Sequence, residues 1–180
     1  MQIFIDETLV EKALPDISSY VENAVRLLAK NGMTVSFAES CTGGLLSELI
    51  TSVSGASAVF EAGFCTYSER IKKKALDVPE EILSQYGVVS EETALYMARG
   101  IKSFSGSSIS ASVTGIAGPT GAEEGKPVGT VCVGFCLGEK EETCTLKLYN
   151  LGEKSRDTIR RLTATAVFMH IGEYLQGLKG

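Results

Sequence analysis

Tryptophan is absent from this 180-residue sequence, histidine occurs once and proline four times. One histidine cannot build a His-rich metal site, and it leaves a Ser-His-Asp triad a single candidate base. That residue, His170, lies in AVFMHIGEYL, a stretch with helical periodicity where an imidazole ordinarily packs. Cysteine is present five times (Cys41, Cys65, Cys132, Cys136, Cys144) but without a C-x-x-C pair. An odd, unpaired set suits reduced thiols in a cytoplasmic chain, with Cys132 and Cys136 as small core residues. No apolar run reaches the roughly 18–20 residues that span a bilayer. The opening MQIFIDETLVEKALPD carries acids where an export signal has a basic region. Neither membrane insertion nor export is expected. Basic residues are also scarce: 17 Lys and Arg stand against 22 Asp and Glu, a net charge of −5. Such a chain is not expected to hold a polynucleotide, whose affinity rests mainly on cation–phosphate attraction. One local basic pocket for a small anion remains compatible with it.

What is present is an alternation of helical and strand patterns with no linker and no repeat. Helical spacing over Asp16–Lys30 ends at Asn31-Gly32. TVSFAE reads as a strand and GGLLSELITSV as a helix. SGAS breaks the chain before a second strand, AVFEAGFCTY. Ser68 is placed to cap a helix through KKKAL, VPEEILSQYG is a Pro-started and Gly-ended helix, and SEETALYMARGIKSF begins at a Ser cap. SISASVTG reads as a third strand running into the loop IAGPTGAEEGKP. VGTVCVGFCL and EETCTLKLYN form a hairpin, and Ser155–Leu178 a closing helix. The order predicts a single α/β domain over 1–180, three α/β/α layers with a mixed sheet. Residues 1–15 are an N-terminal extension that reads equally as a strand or an extra helical turn.

Chemistry is expected at four places. Glu39-Ser40-Cys41-Thr42-Gly43-Gly44 joins a strand to a helix, where open α/β sheets bind ligands and helix N–H groups favour negative charge. Ser40 there is a nucleophile or only a cap followed by a tight turn. A serine nucleophile needs a base, and with so little histidine that base falls to Lys, Asp, Glu or Tyr. Tyr67-Ser68-Glu69-Arg70-Ile71-Lys72-Lys73-Lys74 can reach the same edge; one of its lysines is a desolvated base, or all three form a solvated run. Thr114-Gly115-Ile116-Ala117-Gly118-Pro119-Thr120-Gly121 can cradle a phosphate with backbone N–H groups or be a surface turn. Arg156 and Arg160, four apart on the last helix, grip a phosphate or form a charged rim.

Taken in order, AESCTGGLLSELIT, GF-x-TYS-x-x-x-K, VS-x-x-T, S-x-TGIAGPTG, KPVGTV and a late R-x-x-IR resemble the CinA C-terminal domain family, over roughly residues 16–176. The likeness is to its nicotinamide-nucleotide amidases of the PncC type. It implies a metal-free, cofactor-free serine amidohydrolase that converts nicotinamide mononucleotide to nicotinate mononucleotide and ammonia. By that resemblance Ser40 is the nucleophile, Lys72 the base, and Thr114 the hydroxyl at the head of the glycine loop. Substrate contacts fall on Glu39, Cys41, Thr42, Gly43, Gly44, Tyr67, Gly115, Gly118 and Gly121, with Arg156 or Arg160 on the phosphate. Glu69 stands where the family usually has Asn, and Asp77 where it usually has Gly. Many members carry a further N-terminal domain that 180 residues cannot accommodate, so the stand-alone form is expected. A small nucleotide is the expected partner, and a homo-oligomer the expected assembly. The alternatives are an amidase for another small amide and a non-catalytic nucleotide-binding protein.

Overall fold

A computed structural model of the chain describes residues 1–178; Lys179 and Gly180, the end of the 1–180 domain assignment, lie outside the described residues. Five strands form one mixed sheet: β1 (Val35–Glu39), β2 (Phe60–Cys65), β3 (Ile109–Gly115), β4 (Thr130–Leu137) and β5 (Lys140–Lys147). Their spatial order is β2-β1-β3-β4-β5. The first three run parallel, while β4 and β5 are the antiparallel hairpin the sequence predicts.

Helices cover both faces. On one lie α1 (Glu7–Ala13), α2 (Ile17–Asn31), α3 (Leu45–Thr51) and α7 (Arg156–Gly177). Their apolar residues meet Phe37, Val113, Val133 and Phe135 of the sheet in the main core, where Phe37 contacts Phe168 edge-on at 5.7 Å. On the other face lie α4 (Glu69–Leu76), α5 (Glu80–Tyr86) and α6 (Glu91–Ser105). The serines of β3 explain how closely α6 sits: Ser110 Oγ donates to Ala98 O at 2.7 Å, and Ser112 Oγ donates to Ala94 O. A Cβ on Gly134 would come within 2.6 Å of the Ala94 carbonyl, so only glycine fits beneath that helix.

The ambiguous N-terminus does both things its sequence allows. Ile3 N donates to Thr143 O at 2.8 Å and Thr143 N to Met1 O at 3.0 Å, extending the sheet past β5. Asp6 then caps α1 by accepting from Thr8 N and Leu9 N. Expected ends shift where backbone geometry overrides composition. α3 starts at Leu45, not Gly43, because Gly43 and Gly44 have φ of +60° and +95° and make the turn instead. Asp77 ends α4 in the left-handed region at φ +51°, the conformation glycine takes most readily. This accounts for its place where the family usually has Gly.

The crossover from β1 to β2 runs through α3 on one face, and the return from β2 to β3 runs through α4, α5 and α6 on the other. The carboxyl end of β1 is therefore the point where connections diverge to opposite faces, the crevice in which open α/β sheets hold ligands.

Candidate active site

At that crevice a cavity of about 640 Å³ opens, within the range of small-molecule sites. Ser40 follows β1 directly, and Lys72 reaches it from α4. Ser68 begins this helix by accepting from Ile71 N at 3.4 Å. Lys72 and Leu76, four residues apart, then share the buried stripe of α4, whereas Lys73 ion-pairs with Glu80 nearer solvent. Helical register thus draws one lysine of three inward.

Lys72 is 1% exposed, yet among the described residues no carboxylate forms an ion pair with it. Its Nζ lies 2.9 Å from Ser40 Oγ and 2.6 Å from the carbonyl of Thr66. Burial lowers the amine's pKa from 10.5 to about 8, while the Glu69 carboxylate pulls partly the other way. A tenth or so of the population is then uncharged at pH 7, enough to act as a base. Cys41, beside the serine, behaves oppositely: burial pushes its thiol up to about 12, so it stays protonated and is no rival nucleophile.

Of the residues expected to contact substrate, Cys41, Tyr67, Gly115, Gly118, Gly121 and Arg156 line the cavity with Ser40, Lys72 and Thr114. Glu39, Thr42, Gly43, Gly44 and Arg160 do not line it, and each has structural work. The Glu39 carboxylate accepts from Gly44 N at 3.0 Å, Leu46 N at 3.1 Å, and Ser47 N and Oγ at 3.0 and 2.8 Å. It is the N-terminal cap of α3, complementing the orphan N–H groups and the dipole there. Arg160 forks onto the Thr42 carbonyl at 3.1 and 2.7 Å, tying α7 to the turn after Ser40. Thr114 Oγ1 donates to Val88 O at 2.7 Å, so its proton is engaged by the α5–α6 connection. Gly43 N donates to Ser40 O at 3.1 Å and Gly44 N to the Glu39 carboxylate, leaving Cys41 N and Thr42 N as the groups of this turn without an acceptor among the described residues.

Arg156 stitches the mouth together, donating to Gly118 O at 2.8 Å and to the Tyr67 hydroxyl at 3.0 Å. The glycine loop is shaped for close approach: a Cβ on Gly115 would meet the Thr130 carbonyl at 2.8 Å, and Gly118 has φ +76°. Ser68, Glu69, Arg70, Ile116, Ala117 and Thr120 of the expected segments also line the cavity, as do Val88 and Val89, which were given no role. The two valines come from the α5–α6 connection, where Val89 opens the VS-x-x-T segment and neither side chain is polar; Arg70 and Glu69 follow from Ser68 being the cap, since the first turn of α4 then faces the crevice. Three cations (Arg70, Lys72, Arg156) against one acid (Glu69) make the lining locally basic in an acidic protein. Among the described residues no group of three or more His, Cys, Asp or Glu side chains is disposed to hold a metal ion. No described helix is long and apolar enough to cross a membrane.

The chain is similar to known proteins over nearly its whole length. The CinA C-terminal domain model matches residues 17–175. A CinA-like protein of Cytophaga hutchinsonii is 42% identical over 179 residues, covering 94% of this chain and 42% of that protein. The chain thus spans less than half the length of that curated relative. The crystal structure of the competence/damage inducible protein CihA from Agrobacterium tumefaciens superposes with a TM-score of 0.83 at 32% identity, covering 97% of this chain and 99% of that one. The competence damage-inducible protein A from Klebsiella pneumoniae gives 0.85 at 28% identity, covering 91% and 99%. By the match of its sequence and of its fold, the chain belongs to the CinA C-terminal domain family.

Proposed function

We propose that the chain hydrolyses the carboxamide of nicotinamide mononucleotide, giving nicotinate mononucleotide and ammonia, with Ser40 as nucleophile and Lys72 as base. The observation that carries this reading is the 2.9 Å approach of a buried, weakly basic amine to the Ser40 hydroxyl. Family membership supports it through the amidases whose motifs these segments resemble.

Uncharged Lys72 accepts the Ser40 proton as Oγ bonds to the carboxamide carbon, and the carbonyl π pair moves onto oxygen. Cys41 N–H and Thr42 N–H, free of backbone acceptors, are the candidate donors to that oxyanion; one such contact contributes about 3–4 kcal/mol in acyl-transfer enzymes. When the tetrahedral adduct collapses, the C–N bond breaks and Lys72 returns its proton to the departing nitrogen, releasing ammonia. Water, deprotonated by the same amine, then cleaves the acyl ester and restores Ser40.

Binding follows from the lining. Arg156, Arg70 and the backbone from Gly118 to Gly121 suit a ribose phosphate. Tyr67 presents a ring, 65% exposed, to a cationic pyridinium. The test is incubation with nicotinamide mononucleotide, following nicotinate mononucleotide by chromatography for the natural chain, Ser40→Ala and Lys72→Ala. Product from the natural chain alone is expected. Turnover retained in Ser40→Ala rejects the nucleophile. An inactive natural chain that releases ammonia from another amide, or binds the nucleotide in calorimetry without product, selects the alternative substrate or the binding-protein reading.

A further inference from the structure

Two side-chain hydroxyls are buried without a hydrogen-bond partner among the described residues, Thr42 Oγ1 and Thr66 Oγ1. An orphaned buried hydroxyl is destabilising, and a valine of the same shape would avoid that cost. Thr66 is 1% exposed, and its other two polar groups are both engaged. Its N–H donates to Glu39 O at 2.8 Å, and its carbonyl accepts from Lys72 Nζ at 2.6 Å.

The sheet places the orphan on the side of the reacting amine. On β2, Ala62 and Phe64 pack toward α6, with Phe64 4.6 Å from the Phe104 ring. Thr66, two residues on, continues that row by strand alternation. On β1, Ala38 belongs to the same cluster, so Ser40 continues its row on the same face. Glu39 and Cys65 are paired in register, which makes residues 40 and 66 neighbours at the ends of adjacent strands. Lys72 enters from α4 between them. Thr66 does not line the cavity, so substrate does not touch it.

The amine nitrogen has three hydrogen-bonding positions, and Ser40 Oγ and the Thr66 carbonyl fill two of them. An ammonium has three N–H donors. We propose that Thr66 is a positioning residue of the Ser40–Lys72 pair: its carbonyl fixes the amine against Ser40, and its hydroxyl is the third acceptor, engaged once Lys72 has taken the Ser40 proton. This rests on the amidase reading above. The hydroxyl, unpartnered in this structure, is held next to the carbonyl that binds the amine, so that rotation of the side chain gives the ammonium its third acceptor.

Removing the acceptor costs the ammonium more than the neutral amine, so the Lys72 pKa falls. The other charged or titratable groups at that amine are the Cys41 thiol after β1, Glu69 of its own helix, and Arg70 and Arg156 around the cavity. α6 turns the apolar Met97 and Ile101 toward α4. None of these changes in Thr66→Val.

The experiment compares Thr66→Val and Thr66→Ser with the natural chain by thermal melting, by pH dependence of kcat on nicotinamide mononucleotide, and by NMR titration of the Lys72 amine in the unliganded protein. Thr66→Val is expected to melt no lower, to keep KM, and to lose about ten- to thirtyfold in kcat, the size of a hydrogen bond to a charged group. Its acid limb and its amine titration both move to lower pH, while Thr66→Ser matches the natural chain. A Thr66→Val protein with unchanged kcat, acid limb and amine titration overturns the proposal, most plainly if its melting point rises. Should that variant not fold, Thr66→Ala carries the same comparison. Turnover in Lys72→Ala removes the base itself; an inactive Lys72→Ala beside an unchanged Thr66→Val removes only the role of Thr66.

Discussion

A half-buried histidine and a buried lysine sit toward opposite ends of the sheet, and they are kept in opposite ways. His170 of α7 meets Glu142 of β5 at 2.7 Å, with side-chain exposures of 16% and 10%, and its ring lies 4.6 Å from Phe135. Lys72 at the carboxyl end of β1 is buried more deeply, and its partners are a hydroxyl and a carbonyl. A buried base with a carboxylate partner is held for packing, whereas one buried without a counter-charge is under pressure to lose its proton. The orphaned Thr66 hydroxyl lies at the second end too. Polar groups are matched away from the site and left short at it, a pattern common where chemistry is done.

The largest break in that comparison is Lys72→Met. Turnover of nicotinamide mononucleotide should fall by about a thousandfold or more, as for loss of a base paired with its nucleophile. Stability carries the opposite sign. The folded amine titrates at about 8 against 10.5 for a free lysine, so between those values the unfolded chain binds more protons and stability rises with pH. The gain across that window is on the order of 3 kcal/mol, read as a rising urea midpoint, and Lys72→Met should lack it. At the other end, Glu142→Gln should cost about 1–3 kcal/mol by loss of a buried hydrogen-bonded pair, measured by denaturation, with kcat unchanged. A matching loss of activity would mean that the two ends are not independent.

Smaller effects sharpen the same contrast. Asp77→Gly relieves a left-handed residue at the end of α4 and should add up to about 1 kcal/mol in denaturation without altering the pH profile. Glu69→Gln removes a partly exposed carboxylate that favours the charged amine, so the acid limb should move slightly to lower pH, by less than in Thr66→Val.

The layered fold was legible because long periodic segments such as α2, α6 and α7 and the buried strands are dictated by hydrophobic spacing. The α3 boundary was not, because Gly43 and Gly44 read as helix by position and as turn only by their φ. Spacing alone left three lysines in a row equivalent. The motif resemblance chose Lys72, and its i,i+4 relation to Leu76 gives that choice a physical reason. Glu39 was expected at the substrate as part of the ESCTGG segment, yet strand alternation sends its carboxylate to the opposite face, onto the start of α3. Thr66 carried no signal of its own, since a carbonyl that holds an amine leaves no trace in residue type.

The most direct test of the account is the titration of the Lys72 amine itself, followed by NMR in isotopically labelled lysine and assigned by the signal missing from Lys72→Met. A midpoint near 8 is expected, with the same pH marking the acid limb of turnover. A midpoint near that of free lysine, with turnover indifferent to pH between 7 and 9, would contradict it.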